Sequence, residues 1–370
     1  MTVGATAGLP ARAAVLEASG ERLQMREIVL FEPSPNQVVV RIVASGVCHS
    51  DLSVVRGTFP FIFPTVLGHE GSGVVESVGE AVTRVVPGDH VVLTWMPPCR
   101  ECFYCLSGQS VLCEIGLAEA IGSSYATVDG VPLIRGLGVA GFATHTLVPE
   151  RSVVKIPADA DLELAALIGC ALSTGVGAVF RTARVAPGSS VAVVGCGGVG
   201  LSVIQGAKIA GASRIIAVDR LAEKLDLASS LGATDVVDAS SVDAVVGVRE
   251  ITAGRGADYT FEVVGVSATI SQAFAMTRRG GTCVLVGAGS PSDEVRFNAM
   301  ELFLDMKTLT GCVYGSTDPD RDFPALVEMI ERGAIDAPRL ITDRIGLDDI
   351  NDALDSMEAG RGARSLVVHE

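Results

Sequence analysis

Four cysteines, Cys99, Cys102, Cys105 and Cys113, fall within fifteen residues in the spacing C-x2-C-x2-C-x7-C. The chain has nine cysteines in all, and the remaining ones are scattered singly. Four thiolates on one short lobe can close a tetrahedral Zn2+ shell, which is then complete and structural rather than catalytic. Reactive or disulfide-bonded cysteines are the competing reading, and the spacing disfavours it. A lobe held by zinc directs the search to a second metal site with an open position.

At 370 residues the chain is too long for one ordinary core, so two domains are expected. Hydrophobic residues make up 48% and charged residues only 19%, ample material for buried sheets. Lys and Arg number 28 against 43 Asp and Glu, for a net charge of -15. That balance argues against a nucleic-acid partner and against a DNA-binding finger at the cysteine lobe. No apolar run approaches the roughly 18 residues of a membrane-spanning helix, so no membrane partner is expected. Residues Met1 to Pro10 lack the pattern of a secretory signal and read as a loose tail. With nine cysteines, a reducing, cytoplasmic setting is the expectation.

From Ala13 to about Val148 short β runs alternate with Gly and Pro, and few helical periods are visible. The clearest runs start at Gln37, Gly73 and His90, with turns at Pro33 to Pro35 and Pro87 to Asp89. This predicts a β-rich, barrel-like domain with the cysteine lobe inserted. After about Leu164 apolar strands ending in Gly or Asp start at Ser190, Arg214, Thr234, Ala257 and Gly281. Helical stretches lie between them at Gly200–Ala210, Ala222–Leu231 and Ser267–Thr277. Strand–helix alternation of this kind predicts a parallel, doubly wound α/β sheet. Two further helices, Phe323–Gly333 and Asp348–Glu358, and a strand from Ser365 are expected to return to the first domain. The domain expectation is therefore 1–171, 172–313 and a return segment 314–370, with the lobe at about 97–114.

Gly195-Cys-Gly-Gly-Val-Gly200 fits G-x-G-x-x-G, with glycines at Gly195, Gly197, Gly198 and Gly200 around Val199. It follows a strand and opens a helix, the context in which a tight turn and a helix N-terminus accept a pyrophosphate. Asp219 ends the next strand nineteen residues after Gly200, where a carboxylate receives the ribose 2′-hydroxyl and repels a 2′-phosphate. NAD is favoured over NADP, with Arg220 beside it as a softening influence. Cys196 and Cys283 read as buried bystanders.

Three more segments offer metal ligands: Gly46-Val-Cys-His-Ser-Asp51, Gly68-His-Glu70 and Ile168-Gly-Cys170. Singly each is weak. Together with the cysteine lobe, the glycine turn and Asp219, in this order, they resemble the zinc-dependent medium-chain alcohol dehydrogenases. The resemblance implies a GroES-like catalytic domain and a Rossmann cofactor domain, two Zn2+ per chain, and NAD. Cys48, His69 and Cys170 would then hold the catalytic zinc, leaving the fourth position for water or substrate. Glu70 would sit beside that metal as an exchange ligand, and Asp51 would orient His69. Ser50 would accept the alcohol proton, but Ser53 stands where relatives carry the relay histidine, so the terminal base is open. His49 and Arg364 would lie near the pyrophosphate and Lys224 near the adenosine ribose.

A histidine after the zinc cysteine without the later relay histidine is similar to benzyl and aryl-alcohol dehydrogenases. Phe59, Trp95, Leu137, Ala288 and Val313 fall where the family lines its substrate channel, suiting a primary alcohol, aromatic or bulky. The expected reaction is hydride transfer between NAD and such an alcohol/aldehyde pair. A thiol-dependent formaldehyde dehydrogenase is the alternative, and a catalytically silent nucleotide-binding relative a second. A homodimer or homotetramer is expected by resemblance, with the strand near Leu309–Val313 able to pair across a two-fold axis.

Overall fold

A computed structural model describes residues 8–369, and the chain divides into two compact units. The first takes the chain up to Cys170, Asp318–Glu331 and the stretch from Ile341 onward; the second takes Ala171–Thr317 and Arg332–Leu340. The return is therefore interrupted: residues 332–340 cluster with the second unit, within the stretch expected to complete the first domain.

The first unit is β-rich. A closed barrel runs in the order Leu9–Leu16, Gln24–Leu30, Ser124–Val128, Val131–Arg135 and Thr65–Val66. Beside it lies a seven-stranded sheet in which Gln37–Gly46 pairs with Glu70–Val78, His145–Pro149 and the last strand, Arg364–Val368. Alternating burial along Gln24–Leu30 shows one face packed and one exposed, whereas Gln37–Gly46 is buried almost throughout. Fully buried Phe142, Tyr125, Leu16 and Leu30 anchor the barrel core, to which Leu347, Ile350 and Leu354 of the returning chain contribute.

Two expectations for this unit change. The loose tail was expected to reach Pro10, but Leu9 and Pro10 already pair in the first strand; residues 1–7 lie outside the described residues. Helices His49–Val55 and Glu114–Ile121 also occur where no helical period was legible. Both are too short to display one, at seven and eight residues.

The second unit carries a six-stranded parallel sheet in the order Asp235–Asp238, Arg214–Asp219, Ser190–Val194, Ala257–Glu262, Thr277–Leu285 and Thr308–Gly311. The order reverses about Ser190–Val194, as in a doubly wound fold, whose ligands bind at the carboxyl ends of the strands beside that point. Helices Gly198–Ile209, Ala222–Leu231, Ala244–Ile251 and Ser267–Met276 connect the strands. Cys283 lies in the core of this sheet and Cys196 is likewise fully buried. No single helix among the described residues is long and apolar enough to cross a membrane.

Candidate active site

The ligand atoms of Cys48, His69, Glu70 and Cys170 lie within 4.8 Å of one another, and all four residues are buried. Cys48 ends the turn after the long strand Gln37–Gly46, Glu70 opens its partner strand Glu70–Val78, and His69 immediately precedes it. Cys170 follows the short helical turn Leu167–Gly169. Pairing of Gly46 with Glu70 across the ladder is what brings the first two segments together.

Asp51 fixes this group from behind. Its carboxylate is fully buried and accepts the backbone N–H groups of Cys48 and Gly68, each at 3.0 Å. The same carboxylate lies 3.3 Å from His69 Nδ1, so one side chain ties the two ligand-bearing turns and orients the ring. The bond to Cys48 also satisfies the N-cap of helix His49–Val55, which is why so short a helix forms.

The charges in this pocket are mutually dependent. A hydrogen bond from Cys170 lowers the Cys48 thiol well below its usual value, and the same bond together with burial raises Cys170. Burial works against protonation of His69, but Asp51 and Cys48 outweigh it and raise the ring well above its ordinary value. Burial pushes the Glu70 carboxyl up to about 8, with Arg364 working in the other direction. Neither Glu70 oxygen accepts a hydrogen bond of good geometry, although Arg364 Nη1 lies 3.1 Å from Oε1. Two thiols, an imidazole and an under-used carboxylate in one dry cluster form a donor set that fits Zn2+.

Around it, Ser50 is half-buried with its hydroxyl 4.0 Å from Cys48 Sγ, His49 is exposed, and Ser53 is half-buried. Arg364 was expected beside a pyrophosphate; its guanidinium is buried, donating to Val47 O at 2.7 Å and facing Glu70. Trp95 is half-buried and packs edge-on to His69, with ring centroids 6.3 Å apart. Phe59 is exposed and Leu137 half-buried in the same unit, while Ala288 and Val313 are exposed on the second unit.

The lobe gathers the second donor set. Sγ atoms of Cys99 and Cys105 are 3.9 Å apart, as are those of Cys102 and Cys113, and all four sulfurs lie within 4.8 Å. Tetrahedral Zn–S bonds of about 2.3 Å put sulfurs about 3.8 Å apart, whereas a disulfide needs about 2.05 Å. The spacing fits a closed zinc shell. Backbone N–H groups support it: Glu101 and Cys102 donate to Cys99, lowering that thiol to about 6, and Cys99 and Gly116 donate to Cys113. Burial pushes Cys105 up to about 12.

A feature with no local sequence signal fastens the lobe. Arg100 makes a two-pronged pair with Asp318 at 2.5 and 2.7 Å and reaches Asp320 at 2.6 Å. At the lobe's far end Glu119 receives the buried Arg135 at 2.7 Å and Arg151 at 2.8 Å.

On the second unit, Gly195 turns at φ +97° and a Cβ at Gly200 would lie 1.9 Å from Gly195 O. A Cβ at Gly197 would meet nothing within 4 Å, so the chain itself gives no reason for glycine there, and close approach of a ligand does. Gly198, Val199 and Gly200 begin the following helix, whose first N–H groups have no intrahelical acceptors. Asp219 accepts the N–H groups of Cys196 at 2.7 Å, Arg220 at 2.7 Å and Leu221 at 3.1 Å, which locks the carboxylate against the glycine turn. Arg220 is exposed and Lys224 half-buried in the first turn of the next helix. This cradle fits a dinucleotide.

A barrel unit with one open and one closed donor set, and a doubly wound unit with a dinucleotide turn, define a zinc-dependent, nucleotide-linked dehydrogenase. Residues 34–158 match the alcohol dehydrogenase GroES-like domain family and residues 198–332 the zinc-binding dehydrogenase family. The chain is 37% identical over 369 residues to S-(hydroxymethyl)glutathione dehydrogenase of Escherichia coli, covering 97% of this chain and 100% of that one. Among solved structures, it is similar to benzyl alcohol dehydrogenase of Acinetobacter calcoaceticus, with a TM-score of 0.92 and 33% identity over 98% of this chain and 100% of that one. An alcohol dehydrogenase zinc-binding domain protein from Burkholderia ambifaria gives a TM-score of 0.93 and 36% identity over 98% and 99% of the two chains. The chain belongs to the zinc-dependent medium-chain alcohol dehydrogenase family.

Proposed function

We propose that this enzyme transfers hydride between NAD and a primary alcohol, aromatic or bulky, and its aldehyde. The observation that carries the reading is the convergence of Cys48, His69 and Cys170 in one buried cluster. These three would hold the catalytic zinc, with Glu70 in reserve as an exchange ligand, and Cys99, Cys102, Cys105 and Cys113 the structural zinc. Bound zinc supplies a Lewis acid for the substrate oxygen, and bound NAD supplies the hydride acceptor. Asp51 holds the ligand-bearing turns, Ser50 takes the alcohol proton, and the pinned Asp219 favours NAD over its 2′-phosphate. His49, Lys224 and Arg364 are proposed cofactor contacts, with Arg364 also restraining Glu70.

The expected result is NADH formation with benzyl-type primary alcohols, a clearly lower rate with NADP, and loss of turnover on chelation. No turnover across a panel of primary alcohols would sink the reading. The Escherichia coli relative favours a second: a thiol adduct of formaldehyde as substrate. Formaldehyde oxidation that appears only on addition of glutathione would put that reading first.

A cytoplasmic setting is supported by nine cysteines, none of them in a disulfide. Self-association into a homodimer or homotetramer is supported by the sheet edge. Thr308–Gly311 pairs on one side only and carries neither proline nor an outward charge to guard the other. Next to it Met300, Phe303 and Met306 are exposed, the last two at 74% and 79%. Buried Lys307 braces their helix through Glu301 at 3.3 Å and Asp305 at 3.4 Å. Light scattering should give a mass of two or four chains, falling to smaller species in Thr310→Pro; a wild-type monomer excludes the pairing.

A further inference from the structure

Glu262 is a fully buried acid that the proposed chemistry does not use. It ends the strand Ala257–Glu262, the neighbour of the glycine-turn strand on the side opposite Asp219. Its Oε1 accepts the N–H groups of Val264 at 2.9 Å and Gly265 at 2.8 Å, and the Thr269 hydroxyl lies 2.7 Å away. Its Oε2 is buried and accepts nothing from the described residues. Its own carbonyl takes the N–H groups of Val286 at 2.8 Å and Gly287 at 3.0 Å, from the end of the next strand. One residue thus pins both strand-end loops on this side of the switch point.

The pinned loop has an unusual surface. Val264 and Val266 are 48% and 44% exposed although they flank a backbone held from below. Val264 also borders the glycine turn: a Cβ at Gly195 would lie 2.7 Å from its Cγ2. A dinucleotide in a doubly wound fold crosses the switch point, with one nucleotide half on each side. Asp219 marks the adenosine side, so the loop with the two exposed valines lies on the side of the nicotinamide half.

We propose that Glu262 is a positioning residue for the nicotinamide half of the cofactor, acting through the Val263–Val266 loop rather than by contact. Its two backbone hydrogen bonds hold Val264 and Val266 outward as an apolar rest for the nicotinamide nucleotide. Releasing the loop leaves the buried N–H of Gly265 and the part-buried N–H of Val264 unsatisfied, so it rearranges and the rest is lost. The inference rests on the family reading of the nucleotide site.

The test is calorimetric binding of NADH and of ADP, which lacks the nicotinamide nucleotide, to the holoenzyme and two variants. Glu262→Leu should weaken NADH by about tenfold or more while ADP stays within about threefold. Glu262→Gln, whose amide oxygen can accept the same two N–H groups, should retain NADH within about threefold. NADH affinity unchanged in Glu262→Leu overturns the proposal, and so does an equal loss of ADP, which would make Glu262 a support of the whole unit. Failure of Glu262→Gln to rescue overturns it too, by pointing to charge instead of loop geometry. Wild-type enzyme that binds neither ligand removes the nucleotide reading itself.

Discussion

Cys170→Ser enzyme is expected to hold one zinc per chain instead of two and to oxidise alcohols about a thousandfold more slowly, or worse. The cluster of Cys48, His69, Glu70 and Cys170 has no ligand to spare among the strong donors. A serine hydroxyl stays protonated near neutral pH and binds zinc poorly, so the site loses a charge as well as a donor. The backbone should survive, because Asp51 still ties Cys48 to Gly68.

Glu70 makes the experiment sharper. Its carboxylate is within reach of the site, with neither oxygen in a well-formed hydrogen bond. If it moves onto the metal when Cys170 is gone, Cys170→Ser retains part of its zinc, and a further Glu70→Gln change removes that remainder. Zinc content by mass spectrometry and kcat on the same sample read both effects. Two zincs per chain with activity within about tenfold of wild type in the double variant would rule out this cluster as the catalytic metal site.

The cysteine lobe and the glycine turn were legible because their geometry is local: spacing along the chain is nearly spacing in space. The same holds for Asp219, whose distance from Gly200 follows from one helix and one strand. Cys48, His69 and Cys170 were different. They are spread over more than a hundred residues and are linked in the sequence only by resemblance. The ladder that pairs Gly46 with Glu70 joins the first two, and the turn Leu167–Gly169, packed against Glu70 and Gly71, carries the third. The clamp from Arg100 to Asp318 left no trace, because an arginine and an aspartate 218 residues apart have no pattern to match. Arg364 illustrates the limit from the other side. Resemblance offered only a cofactor contact for it, and its burial against Glu70 depends on the last strand pairing with Gln37–Gly46. The short helix at His49–Val55 was missed because seven residues are too few to show a helical period, although Asp51, three residues after Cys48, caps it locally.

Cys113→Ser is expected to remove the other zinc and lower the melting temperature by about 10 °C or more, while most secondary structure remains. Cys113 is the lobe cysteine with most at stake. It is fully buried, its sulfur accepts N–H groups from Cys99 at 3.2 Å and Gly116 at 3.3 Å, and it caps helix Glu114–Ile121. Losing it therefore opens the sulfur shell and uncaps the helix together. The lobe has no substantial core to fall back on, since Phe103, Leu106 and Leu117 are all exposed. What remains are the clamp from Arg100 to Asp318, one hydrogen bond from Ser110 to the same carboxylate, and, just beyond the lobe, the pair of Glu119 with Arg135. Limited proteolysis should then cut between residues 97 and 114 in the variant and not in wild type. The catalytic cluster draws no ligand from the lobe, so activity at low temperature should persist with one zinc per chain. An unchanged melting temperature, or zinc still at two per chain, would show that these sulfurs do not form the closed shell.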